Sequence, residues 1–166
     1  MAKRLSISTK EKEAPIIKRF IAFLVDLFVL NFVVVMPFRS LISSIIPKGD
    51  FSSVYAALES NPNVAVQLSQ VYLIIGLLSF VYFTVCEYKI HQTLGKLLFG
   101  LYVRSEGPKL GLLQAMVRNI FLIPIFPLIL LWFIEPVFIL LHPKHRRLLE
   151  LLSKTKVVYY ETQLLP

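Results

Sequence analysis

The stretch Lys18-Arg19-Phe20-Ile21-Ala22-Phe23-Leu24-Val25-Asp26-Leu27-Phe28-Val29-Leu30 opens an apolar run that reaches Met36 and carries an acid well inside it. Read as a helix, Arg19 and Asp26 stand two turns apart on one face. Ala22 lies between them and leaves room for a neighbour. From Phe20 to Asp26 the rise is about 9 Å at ~1.5 Å per residue. With Phe20 at a membrane interface, Asp26 falls below the headgroups. An ionisable group at that depth is costly and must face a partner, a cavity or water. Pro37 ends this helix or kinks it near its outer end.

Composition points the same way. Of 166 residues, 56% are apolar and 17% charged, and the mean hydropathy is +0.69. That exceeds what a soluble core requires and favours the membrane class. Eighteen Lys and Arg against ten Asp and Glu give a net charge of +8. In a membrane protein such an excess sets orientation and touches anionic lipid headgroups. The bases are scattered among hydrophobic runs and form no stripe, so no nucleic-acid partner is expected. The single cysteine, Cys86, excludes an internal disulfide and a cysteine-cluster metal site. A cleaved signal peptide is not expected, because the run is long, contains Asp26 and leads into Pro37-Phe38-Arg39-Ser40.

Taken in order, residues 1–15 read as a polar N-terminal tail, 16–160 as one membrane domain and 161–166 as a C-terminal tail. The apolar segments lie at about 20–36, 71–87 and 120–141. A short helix from Leu41 is expected to stop at Pro47-Lys48-Gly49-Asp50. Ser60 or Asn61 can cap the helix that follows. In the second segment Gly76 and Ser79 allow close helix approach. Tyr82 reads as a core or interfacial aromatic, and Glu87 as a solvated boundary charge. Leu101 to Arg104 and Lys156 to Tyr160 read as two short strands, each the other's natural partner.

The third run holds Pro124, Pro127, Glu135 and Pro136. It suffices for one span but not two, and its prolines argue against a straight helix. Residues 1–19 hold six bases, 37–70 two, 88–118 five and 142–166 five. The positive-inside rule therefore wants the N-terminus, the second loop and the tail on the cytoplasmic side. Two full spans plus a bent third segment meet that demand. The expected fold is thus an all-α membrane protein with two transmembrane helices, a proline-bent third segment (span or re-entrant hairpin) and a small two-strand pairing on the cytoplasmic side. A plain third span with an outside tail is the alternative.

Four segments then carry a resemblance. They are Arg19-x-x-Ala22-x-x-x-Asp26, Thr93-Leu94-Gly95-Lys96-x-x-x-Gly100-Leu101-x-Val103, Arg118 after a helix start, and Arg147-Leu148-Leu149-Glu150-Leu151-Leu152-x-x-Thr155-x-Val157-Val158. In order and spacing they resemble the RDD family of small multi-pass membrane proteins across residues 16 to 160. The family is named for an arginine and two aspartates. The resemblance places the arginine at Arg19 and the first aspartate at Asp26, and puts Glu150 where the second aspartate belongs. It implies a multi-pass protein of the cell membrane and transport, including exchange of sodium for protons in some members; the cytoplasmic N-terminus comes from the charge count.

The ionisable candidates are Arg19, Asp26, Arg118, Glu135 and Glu150. A proton-coupled carrier needs a carboxylate that switches protonation, and Asp26 fits by depth: burial favours its neutral form and a nearby arginine its charged form. The plainer reading, a fixed pair between Asp26 and an arginine that holds the fold, stands somewhat ahead. His142 and His145 lack a third ligand, so no metal is expected. No cofactor or enzyme motif appears, and an enzyme is not expected. Two functions remain open. One is a small cation transporter working as a homo-oligomer, because so few spans enclose no pathway alone. The other is a non-transporting scaffold or accessory whose basic cytoplasmic face binds lipid or a partner.

Overall fold

Pro15, in extended geometry, separates a strand from the first helix. The computed structural model describes residues 6–46 and 50–165. Strand β1 (Ser6–Glu13) precedes α1 (Ile16–Leu30). A π-helical turn at Asn31–Val35 joins α1 to α2 (Met36–Ile45), so the helix is continuous over 30 residues. Pro37 therefore does not end it. Its ring would meet the carbonyl of residue 33 in a regular helix, and the wider turn just before it relieves that crowding. The expected stop at Pro47-Lys48-Gly49 lies outside the described residues.

Asp50 caps α3 (Phe51–Ser60) by accepting from the Ser53 amide at 3.2 Å. Asn61 caps α4 (Pro62–Ile90) by accepting from Asn63 at 3.1 Å, with Pro62 at the first helical position. Helix α4 ends at His91, whose φ of 58° turns the chain back. Then come α5 (Leu94–Leu98), β2 (Leu101–Ser105), α6 (Leu112–Asn119), α7 (Leu131–Leu141), α8 (Leu148–Leu152) and β3 (Thr155–Leu165).

The third apolar run is broken. Short 3-10 turns at Ile120–Leu122 and Leu128–Leu130 flank an irregular stretch around Pro124 and Pro127. Trp132 donates to the Phe121 carbonyl at 2.7 Å and so closes a hairpin. The turn reaches Gly76, where any side chain would overlap Pro124 and the Leu122 carbonyl. Gly76 lies eleven residues before Glu87, about 16 Å along α4 at ~1.5 Å per residue. Both ends of the hairpin return to one level: Asn119 touches Glu87, and Glu135 accepts from Leu149 of α8. Gly76 thus admits the bent segment that the prolines lead one to expect.

The sheet has the order β1-β3-β2 and is antiparallel. The expected β2–β3 pairing forms, with Val103 opposite Val157. A third strand adds to it from Ser6–Glu13, in the segment read as a polar tail. It carries no apolar alternation. What places it is the long open edge of β3, together with the ion pairs Lys12–Glu161 and Lys156–Glu11.

Two small apolar clusters hold these layers. Ala14, Ala22, Leu101 and Val157 lie under the sheet. Leu30, Val34, Phe83 and Leu122 lie between the long helices and the hairpin. At the first cluster α5 crosses α1 with almost no gap: a Cβ at Gly95 would collide with the Ala22 carbonyl and stand 2.9 Å from Asp26 Cγ. Backbone cannot yield as a flexible side chain can. Gly95→Ala is therefore expected to destabilise the fold by roughly 1–3 kcal/mol. Leu94→Ala, at a partly exposed neighbour, should cost clearly less. Thermal melts of both variants in one detergent check this, and equal losses would contradict the tight crossing.

Candidate functional site

Arg118 is the hub of a buried cluster of charge. It stands near the end of α6, 1% exposed. Its Nε lies 3.1 Å from Glu87 Oε2, its Nη2 donates to Glu150 Oε1 at 2.9 Å, and its Nη1 donates to Thr155 Oγ1 at 3.1 Å. Each partner comes from a different element: Glu87 from α4, Glu150 from α8, Thr155 from β3. The chain of charge continues at both ends. Lys96 of α5 bonds Glu87, and Asn119 donates to its second oxygen at 2.9 Å. Arg19 of α1 bonds Glu150 and also donates to the His145 carbonyl at 2.9 Å. The Arg147 amide donates to Glu150 Oε2 at 3.3 Å, and its guanidinium stands 3.8 Å from Oε1. One network thus ties α1, α4, α5, α6, α8 and β3.

Asp26 is fully buried but outside this network. Thr93 donates its hydroxyl to Oδ2 at 2.5 Å, the Gly95 amide donates to Oδ1 at 2.8 Å, and the Tyr82 hydroxyl approaches Oδ1 at 3.4 Å. The expected meeting of Asp26 with an arginine does not occur. Arg19 shares its face of α1, but helical side chains lean toward the N-terminus. That direction carries Arg19 away from Asp26 and onto Glu150. Ala22, between the two, is covered by α5 at Gly95.

Glu135 of α7 is 5% exposed. Its Oε1 accepts from the Leu149 amide at 2.9 Å, and its Oε2 is buried without a hydrogen-bond partner. Ser79 is buried on α4 and turns its hydroxyl back to the Ile75 carbonyl at 2.8 Å. Gly100 takes the left-handed φ of 61° needed between α5 and β2. His142 and His145 bind backbone in the turn after α7, and among the described residues no cluster fit for a metal ion occurs.

Several members escape a reading of the sequence. Glu87 has the local look of a boundary charge, yet it is 1% exposed and paired twice. Asn119 is an ordinary polar residue in sequence, and Thr93 stands out only as part of the segment Thr93-Leu94-Gly95-Lys96. The available signal was spacing: Thr93 stands just before Gly95-Lys96, and Asn119 follows Arg118, so each shares a turn with a charged member.

Electrostatically the cluster is locked. Burial alone would raise the Glu150 carboxyl, but Arg118, Arg19 and Arg147 outweigh it and hold it at about 2. Burial pushes the Lys96 ammonium down to about 8, aided by Arg118 and Arg147 and opposed by Glu87. One Glu150 oxygen, Oε1, accepts from both Arg19 and Arg118.

Removing that charge takes an anion from three guanidinium groups, of which Arg118 alone keeps a second carboxylate, Glu87. Glu150→Gln is expected to cost roughly 3–5 kcal/mol, and Glu150→Asp less. Acid adds a second check. The folded carboxyl titrates near 2, against ~4.3 when unfolded. Its contribution is therefore complete above the unfolded value and lost as pH falls through the folded one. Melting temperature between pH 5 and 3 should drop more steeply for wild type than for Glu150→Gln; parallel slopes would refute the assignment.

Comparison with known proteins gives one match. The RDD family model matches residues 13–154. No curated protein and no solved structure matches the chain. The match spans Arg19, Asp26, Arg118 and Glu150, the residues through which α1 is tied to the rest of the molecule. The chain belongs to the RDD family.

Proposed function

We propose that this chain is a multi-pass integral protein of the cell membrane that works as a non-transporting module, its basic cytoplasmic face holding anionic lipid or a partner. Two helices, Ile16–Ile45 and Pro62–Ile90, are long and apolar enough to cross a bilayer. Large apolar side chains stand open around them and the hairpin, among them Phe28, Phe133 and Leu141 at 65%, 74% and 78%. Such a surface suits hydrocarbon and is unsuited to water. The charge count puts the N-terminus, the sheet and both connections after α4 on the cytoplasmic side. The hairpin then re-enters from that side, which returns the tail to it.

The observation that carries the static reading is Asp26, held by three donors from α4 and α5. A carboxylate bound by a backbone amide and two hydroxyls is fixed in place and is poorly suited to taking up and releasing an ion. Asp26→Asn turns an amide NH2 toward donors, so a loss of roughly 1–3 kcal/mol is expected, with no flux to lose.

One observation favours the second reading, a small cation transporter working as a homo-oligomer. Glu135 lies in the third apolar segment and keeps one buried oxygen free of protein donors. Proteoliposomes at matched folded protein separate the two. The static reading expects sodium-driven proton flux no greater than that of empty liposomes. Flux present in wild type and lost in Glu135→Gln would overturn it and establish the transporter.

Topology has its own check. With Cys86 replaced by Ala, single cysteines at Glu106 and Lys144 should label from the cytoplasmic side only, and one at Glu59 from the outside only. Labelling of Lys144→Cys from outside would mean that the third segment crosses.

A further inference from the structure

A cavity of about 470 Å³ opens where α4 ends, bounded by His91, the outer edge of β2 and the Ser105–Leu110 turn. Its volume lies within the usual range for a small-molecule site. Its lining is mostly polar and positive: Arg104, Lys109 and Lys156 against the single carboxylate Glu11. Glu11 is already matched by Lys156 at 2.5 Å. Arg104 is pre-positioned, because the Tyr160 hydroxyl accepts from its Nε at 3.0 Å and its Nη2 at 2.6 Å. Lys109 stands exposed at the rim. The charge left for a ligand is that of Arg104 on β2 and Lys109 on the turn that follows it. Arginine and lysine side by side suit a phosphate group, the arginine through its fork and the lysine as a mobile point charge.

The surroundings narrow the size and nature of the ligand. Inorganic phosphate alone would leave most of the cavity empty. Immediately beyond Leu110, α6 buries Ala115, Arg118 and Asn119 and exposes Leu112, Leu113, Met116 and Val117. An apolar helix face thus adjoins a cationic pocket, at the level where α4 leaves its apolar stretch. We propose that this cavity binds a phosphate-bearing anion of lipid-headgroup size. The inference rests on the reading above that this face is cytoplasmic and binds anions, and it names the site and the chemistry.

The probe is dihexanoyl phosphatidate, added to the full chain in nanodiscs of neutral lipid and followed by calorimetry. A monomeric probe removes the general attraction of a charged surface. Arg104→Gln with Lys109→Gln is expected to weaken binding about tenfold, equivalent to ~1.4 kcal/mol. Lys18→Gln with Lys144→Gln, which removes two bases away from the cavity, should stay within about twofold, since separated exposed charges are screened. Competition by glycerol 3-phosphate with similar affinity would identify the ligand as a soluble phosphate ester, and failure to compete would identify it as lipid; both fit the site. Equal weakening by the two double variants would overturn it. So would absence of binding while the protein still prefers anionic over neutral vesicles, which leaves the basic-face reading intact. Loss of that vesicle preference as well would overturn both.

Discussion

A guanidinium with almost no solvent contact must find acceptors for its donors among the elements around it, and Arg118 finds them on three. Leaving any one unmet exposes a full charge to apolar surroundings. Helix α4, helix α8 and strand β3 therefore cannot drift independently. Through Glu150 the same demand reaches Arg19 and α1, and through Glu87 it reaches Lys96 and α5. The apolar clusters are small and sit apart from one another. Burial alone would leave long helices free to slide or rotate against each other, because apolar faces match in many registers. The charged network admits one.

That logic explains why two of the acids do not exchange roles with Asp26. Glu87 and Glu150 answer cations, whereas Asp26 answers an amide and two hydroxyls and fixes the crossing of α1 with α5. A buried ion pair adds little net stability over an apolar core, but it strongly penalises wrong arrangements. In the proposed orientation the network lies at the cytoplasmic end of both long helices. There the sheet and α8 shield it on one side and the hairpin on another. Glu135 joins α7 to this platform by a single backbone hydrogen bond, the lightest attachment among the buried acids.

Much of the architecture was legible. The apolar runs around Phe20 and Val71 marked both long helices, the prolines at 124 and 127 marked the break in the third, and Tyr102-Val103 with Val157-Val158 marked a strand pair. The partners of the charges were harder. Helical periodicity places Arg19 and Asp26 on one face but does not show that Glu150, 131 residues on, stands where Arg19 reaches. Glu87 looked solvated because its neighbours in sequence are boundary residues; the elements that bury it, α5 and α6, come later in the chain. Strand β1 was invisible because Ser6–Glu13 lacks an apolar alternation and is ordered by the edge of a strand some 150 residues away. Pro37 does not stop the helix for a local reason: a π turn at Asn31–Val35 absorbs the clash that normally ends one.

Arg118 and its carboxylates hold the fold in register only if they act as one unit. A double-mutant cycle of Arg118→Met and Glu87→Leu, by reversible unfolding in mixed micelles, measures this directly. Each single variant leaves one member of the pair without the other, while the double variant removes both; the loss of Lys96's partner is common to both Glu87 variants and cancels in the cycle. The prediction is a double variant well short of the summed single losses, with a coupling of about 1–3 kcal/mol. Losses that add within ~0.5 kcal/mol would mean that the charges are independent, and the network would not be what holds the fold in register.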